Sequence, residues 1–169
     1  MACKPDWLTV AQQFVQADAG PSLALRTNVA APAPLNSSVR HVMKRSRQDD
    51  VWNRACLESG GGALAAGDRA LAALLLAHGL AMNGGVVHAM GCLTKSQLAA
   101  AIAGFNHFGL TAASSVFEQA PDGSEEAEER LNRMYWQAVP NDETLAHAFR
   151  IKLVAFPDAF APVESGAHV

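Results

Sequence analysis

Cysteine is scarce in this chain of 169 residues, which has only Cys3, Cys56 and Cys92. An odd set of widely spaced cysteines does not form the paired disulfide framework that small secreted domains use. The first seven residues also lack the apolar stretch of a signal peptide. These two absences predict reduced thiols and a cytoplasmic protein.

Long apolar runs and a basic excess are missing as well. The most apolar run, residues 70–82, includes His78 and Gly79 and is too short to span a bilayer. We therefore expect a buried core helix there and no contact with a membrane. The formal net charge is −3, whereas nucleic-acid binders usually show a strongly basic face, so we expect no direct binding to nucleic acid.

Small apolar residues are plentiful. Half of the residues are hydrophobic, many of them alanine, and the length suits one domain. Apolar residues recur at helical spacing, and no segment alternates convincingly with the period of a strand. The sequence predicts an all-α fold: a single compact bundle of about seven to nine short helices. The candidate helix caps are Asp50, Asp68, Thr94 with Gln97, Ser124, and Asn141 or Asp142.

Proline and glycine interrupt the N-terminal third of the chain. Trp7, Val10 and Phe14 share one face of a short predicted helix, but Gly20-Pro21 and the Pro/Ala-rich stretch 31–34 block both a helix and a central strand. We expect residues 1–48 to form a helix and an irregular arm packed on or linked to the body. The predicted helical domain then spans residues 49–160, and a flexible tail spans residues 161–169.

Met82 is followed by Asn83-Gly84-Gly85, between two apolar helical patterns. All three residues tolerate backbone angles that most side chains forbid, so this triplet should end one helix and redirect the chain. We predict a positive φ at Gly84 or Gly85. This is a structural signature, and it carries no chemistry by itself.

No motif predicts an active site. Glycines at 62 and 67 have the spacing of a phosphate-binding loop, but Asp68 and Arg69 follow where that loop needs Lys and then Ser or Thr. His88 and Cys92 lie four residues apart, and zinc would need about four ligands. A nucleophilic Cys–His pair is the alternative to a partly buried His beside a small apolar Cys. We predict no catalytic residue, no metal and no cofactor, and therefore no enzyme.

Acidic residues concentrate between residues 118 and 129. Residues 61–169 carry six Lys/Arg against eleven Asp/Glu, whereas residues 1–60 carry seven against five. On a helix that begins after Ser124, Glu125, Glu128 and Glu129 share one side. A solvated helix face is the simplest interpretation. The alternative is an acidic surface that attracts a cationic partner.

Other residues of the same segment bear on this choice. Arg130 and Arg133 lie four residues after Glu126 and Glu129, so ion pairs between them would neutralise part of the negative field. Tyr135-Trp136 could supply aromatic anchors beside the carboxylates, although aromatic residues at this spacing are more often core.

The order of these elements resembles a known family. An apolar helix, Asn83-Gly84-Gly85, a capping-box helix and the step Phe108-Gly109-Leu110 follow one another. This order is similar to that of a small helical bacterial family, first described as a domain of unknown function and later named for a DNA-mimic protein. The likeness spans about residues 49–156. It implies a helical fold, structural roles for Asn83, Gly84 and Gly85, and no catalytic residue. After the signature, residues 86–92 depart from the aromatic run that is usual in that family.

The sequence thus favours a regulator that binds a basic, DNA-binding type of protein. The residues predicted to contact this partner are Glu118, Asp122, Glu125, Glu128 and Glu129. Two alternatives stay open. One is a small-molecule-binding protein or enzyme, with Asn83, His88 and His107 converging near the glycine turn. The other is an oligomeric structural module such as a homodimer.

Overall fold

Helices form all the regular structure in the described part of the computed structural model, residues 46–57 and 65–163. This confirms the all-α prediction, with six α-helices in these residues rather than seven to nine. The predicted N-terminal helix and Pro/Ala-rich arm lie outside the described residues. The α-helices are α1 (Arg47–Cys56), α2 (Ala66–Cys92), α3 (Lys95–His107), α4 (Thr111–Phe117), α5 (Glu125–Ala138) and α6 (Asp142–Ala155), and a 3₁₀ turn spans Pro157–Ala159.

Polar side chains cap four of these helices. Thr94 forms the predicted capping box with Gln97, and Ser124 and Asn141 accept hydrogen bonds from the amides of Ala127 and Thr144. Two predicted caps are wrong. The cap of α1 is Ser46, which pairs with Asp49, because the helix begins one turn before the predicted Asp50. The cap position of α2 is Ala65, and Asp68 is the third helical residue, whose carboxylate accepts from the Ala65 amide.

The long helix α2 forms the centre of the bundle, because α1, α3, α5 and the 3₁₀ turn all pack against it. Gly104 brings α3 close to it: a Cβ atom there would lie 2.5 Å from the Ala70 carbonyl oxygen. The helix α2 is long and apolar enough to cross a bilayer, but core helices of soluble proteins can have the same length and composition. In this structure it buries Leu71, Leu74 and Leu80 in the core.

A glycine breaks α2 near its end. Gly85 has φ +85° and ψ 171°, so the predicted positive φ is confirmed at the second of the two glycines. After the break the backbone becomes helical again and continues to Cys92. The Asn132 side chain of α5 accepts a hydrogen bond from the Val86 amide at 2.8 Å, which caps this restarted segment. The glycine turn is thereby joined to α5.

The C-terminal segment packs back on the first two helices. The Phe160 ring lies 5.7 Å from that of Phe149 in α6, and Phe149 lies 5.5 Å from Trp52 in α1. Residues 161–163 were predicted to start a flexible tail. In the structure, the Arg54 guanidinium donates to the carbonyl oxygens of Ala161 and Pro162, so this part of the chain is held by α1.

Candidate functional site

The five residues predicted to bind a partner all have exposed side chains. Glu118 follows the end of α4, Asp122 lies in the loop that leads to α5, and the three glutamates occupy the first two turns of α5. Glu126, on the same turns, is exposed too. We call this surface the acidic face: Glu118, Asp122, Glu125, Glu126, Glu128 and Glu129.

The packing of α5 directs these carboxylates outward. Ala127, Leu131 and Tyr135 are its buried residues, and their spacing of four places them on one stripe against α2 and α4. At 100° per residue, Glu125 and Glu129 lie well away from that stripe. Glu125, Glu126 and Glu128 also lie in the first turn of the helix, where the macrodipole stabilises carboxylates.

Arginine neutralises little of the acidic face. The Arg133 Nη1 atom lies 3.4 Å from Glu129 Oε2, with both side chains about two-thirds exposed, so solvent weakens this predicted pair. Arg130 does not follow the predicted pattern. Its Nη1 donates to Gln119 Oε1 at 2.7 Å, just beyond the end of α4. The Arg130 charge also helps to lower the pKa of Asp122, so it acts on the acidic face as well.

Asp122 has a structural part in the same surface. Its Oδ1 accepts hydrogen bonds from the Ser124 hydroxyl at 2.7 Å and from the Ser124 amide at 2.9 Å. These two bonds, the hydroxyl one first, lower the pKa of the Asp122 carboxyl below its ordinary value. The residue therefore stays ionised at neutral pH, and it also fixes the serine that caps α5.

The two predicted aromatic anchors have different positions. Tyr135 is buried in the core, so it is no anchor, and burial followed by the nearby Asp142 raises the pKa of its hydroxyl. Trp136 is 40% exposed. Counted along α5, Trp136 is eleven residues beyond Glu125 and about 20° from it around the axis, so both lie on the same side about 16 Å apart.

A buried polar chain, which the sequence did not reveal, connects Tyr135 to two other helices. His78 in α2 lies 2.8 Å from the Tyr135 hydroxyl through Nδ1 and 2.9 Å from Asp142 Oδ1 through Nε2. A carboxylate only accepts, so Nε2 carries the hydrogen, and in the neutral ring Nδ1 accepts from the hydroxyl. The sequence feature that could have revealed this chain is a single histidine in an apolar helix. Its two partners are 57 and 64 residues away in sequence.

The alternative site at the glycine turn is not assembled. Asn83 and His88 are exposed near the end of α2. His107 ends α3, whose Gly104 packs against Ala70 and Leu74. Asn83 is nine residues beyond Leu74, about 14 Å along the helix, so the three predicted polar groups do not converge.

His88 and Cys92 lie on one side of the restarted helix. The Cys92 Sγ is 3.5 Å from His88 Nε2. The helix continues through Gly91 to Cys92. Among residues 46–57 and 65–163, no group of three or more potential metal ligands occurs. We assign this pair no role.

Comparison with known proteins gives no match to this chain. No family model matches it, no curated protein is similar to it, and no solved structure resembles it. The resemblance of the Asn83-Gly84-Gly85 region to the DNA-mimic family therefore stays a prediction from the sequence.

Proposed function

We propose that this protein is a regulator that binds the cationic surface of another protein through its acidic face. The observation that carries the proposal is the density of exposed charge. Six carboxylates lie within the twelve residues 118–129, and that stretch contains no Lys or Arg. All six side chains are exposed.

The physical reason is the reach of the field. Exposed like charges within one Debye length, about 8–10 Å at physiological salt, act together on an approaching cation. Such a surface raises the association rate and selects basic partners more than it adds affinity. Trp136, exposed on the same side of α5 as Glu125, offers the large apolar contact that interface centres typically contain.

The resemblance to the DNA-mimic family makes this proposal more specific. It suggests that the basic partner surface is one that otherwise binds DNA. Mimicry depends on local spacing more than on net charge, since duplex DNA carries one charge about every 1.7 Å of its axis. The four glutamates of residues 125–129 lie within about 6 Å along the α5 axis. The net charge of −3 thus leaves room for a dense array in one place.

Charge reversal tests the proposal. The variant replaces Glu125, Glu128 and Glu129 with Lys, and the probe is a fluorescent peptide of alternating arginine and leucine. The control variant reverses Asp50, Glu143 and Asp158, which changes the net charge equally on other helices. Circular dichroism checks that both variants stay folded.

We expect the first variant to bind the peptide at least about tenfold more weakly than the native chain, and the control to change binding by less than about threefold. A labelled DNA duplex should bind neither the native protein nor the control variant. If both variants bind the peptide equally well, the acidic face is only a solvated surface.

A further inference from the structure

The last long helix, α6, has two apolar stripes on opposite sides. Leu145, Phe149 and Leu153 form the inner stripe and are buried. Ile151 and Val154 lie on the outer side and are 57% and 75% exposed. Phe156 extends the outer stripe beyond the helix and is 56% exposed. An exposed cluster of large apolar side chains usually marks an interaction site.

This outer stripe lines an open groove. Along α6 the stripe is an open surface beside His147, Arg150 and Val154. The groove itself, about 330 Å³, lies between α6 and the corner 106–109 that joins α3 to α4. Ile151 and Ala155 belong to both the open surface and the groove. The size of the groove is within the range of sites that hold side chains or small ligands.

The rim of the groove carries a cation. Lys152 lines it, and no carboxylate is among the described residues that line it. Arg150, on the other side of the stripe, is ion-paired with the Glu143 carboxylate, so it offers less charge to a partner. The Lys152 ammonium rests 4.6 Å from the centre of the Phe156 ring. His107 belongs to the same wall, and burial followed by Lys152 lowers the pKa of its ring, which favours its neutral form.

We propose that the outer face of α6 is a docking groove for an acidic amphipathic helix of another protein. Apolar side chains of that helix would cover Ile151, Val154 and Phe156, and one of its carboxylates would meet Lys152. Helices commonly bind apolar grooves in this way, through residues spaced three, four and seven apart. No residue of this groove belongs to the acidic face, so the two proposals stand or fall separately.

Charge argues against the other occupants. In a symmetric pair of α6 helices centred on Ile151, the Lys152 side chains of both copies would gather near the axis, where like charges repel. An anionic membrane would match the charge, but the 106–109 corner walls one side of the groove. A helix fits this concave shape better than a lipid surface does.

The test uses three synthetic peptides of about four helical turns. The first has leucines at helical spacing and glutamates elsewhere, the second has the glutamates replaced by lysines, and the third is a scrambled form of the first. Fluorescence anisotropy measures their binding to the full chain and to the variants Val154→Asp and Lys152→Glu. Leu57→Asp is the matched control, since Leu57 is 57% exposed and lies at the end of α1, outside the groove.

We expect the acidic peptide to bind most tightly, Val154→Asp to weaken it about tenfold, and the control to leave it unchanged. Lys152→Glu should shift the preference towards the lysine peptide. Equal binding of the acidic and scrambled peptides would overturn the proposal. So would self-association that Val154→Asp abolishes, or binding to vesicles of phosphatidylcholine and phosphatidylglycerol in place of the peptide.

Discussion

The Arg54 guanidinium holds the carboxylate of Asp68, whose side chain is 0% exposed. Its Nε and Nη2 atoms donate to Asp68 Oδ1 at 3.1 and 2.6 Å. The other oxygen, Oδ2, accepts from the amides of Ala65 at 3.2 Å and Ala161 at 2.7 Å. One buried carboxylate thus connects α1, the start of α2 and the C-terminal segment, because all four donors meet on it.

Asp68→Asn should destabilise the fold strongly. The side-chain NH₂ group of asparagine would point its hydrogens at groups that are themselves hydrogen-bond donors. The neutral amide would also leave the Arg54 charge uncompensated. Breaking a buried pair in this way costs about 3–5 kcal/mol. Urea unfolding measures the loss, and Asp158→Asn, at an exposed residue, is the control. A loss below about 1 kcal/mol would show that the carboxylate does not hold these segments together.

Gly85→Val should destabilise by about 1–3 kcal/mol, because its φ of +85° is strained for a β-branched residue. A Cβ atom there would also lie 3.0 Å from the Asn132 amide group that caps the restarted helix. Gly84→Ala should cost less, since its φ is not positive and it meets the exposed His88 side chain, whose ring can turn away and whose Cβ, at 3.1 Å, has to shift only slightly.

Gly79→Ala is the matched control for the glycine series. This residue lies within α2, and nothing lies within 4 Å of the added carbon, so the substitution should stabilise by about 0.5–1 kcal/mol. Urea unfolding compares the three variants. If Gly85→Val and Gly79→Ala unfold at the same urea concentration, the break at Gly85 carries no strain.

Phe105→Ala should cost about 3–5 kcal/mol. The ring is fully buried, stacks on Phe117 at 5.4 Å and meets the edge of Tyr135 at 6.3 Å. The alanine variant leaves a cavity among α3, α4 and α5. Phe156→Ala, at an exposed ring, is the control and should change the free energy of unfolding only slightly. A small loss for Phe105→Ala would mean that α3 does not pack as described.

His107 makes stability depend on pH. Burial, and then the Lys152 charge, lower the pKa of its ring below the ordinary value of 6.5. The unfolded chain therefore binds this proton more readily than the folded one does. The free energy of unfolding falls as pH falls below about 6.5, and the contribution is fully present above that value.

The measurement compares native protein and His107→Gln by urea unfolding at about pH 7.5 and pH 5.5. We expect the native midpoint to fall more than the variant midpoint over this interval. The comparison cancels the effect of the other histidines, which both proteins share. Parallel changes in the two midpoints would contradict the assignment to His107.

Local sequence signals predicted much of the fold. The Thr94–Gln97 box and the positive φ in Asn83-Gly84-Gly85 depend on neighbouring residues alone, so the sequence contains all that determines them. The partners of Asp68 could not be predicted in this way. Arg54 is 14 residues away and Ala161 is 93 residues away, and only the packed bundle brings them together.

The candidate site was predictable to the same degree. The exposure of Glu125 and Glu129 follows from the apolar stripe of α5, which is visible in the sequence. The outer stripe of α6 was not predicted, because only the packed bundle shows that the described helices leave Ile151 and Val154 exposed. Tyr135 is buried and is not a surface anchor. The sequence does not show this, because its hydrogen-bond partner His78 lies on another helix.

The salt dependence of binding tests the central claim most directly. The affinity for the basic peptide is measured as NaCl rises from about 50 to about 200 mM, for the native chain and for the variant with Lys at 125, 128 and 129. We predict a steep loss of affinity for the native chain and a nearly flat response for the variant. Equal slopes for the two proteins, or a native affinity that salt does not change, would contradict binding through the acidic face.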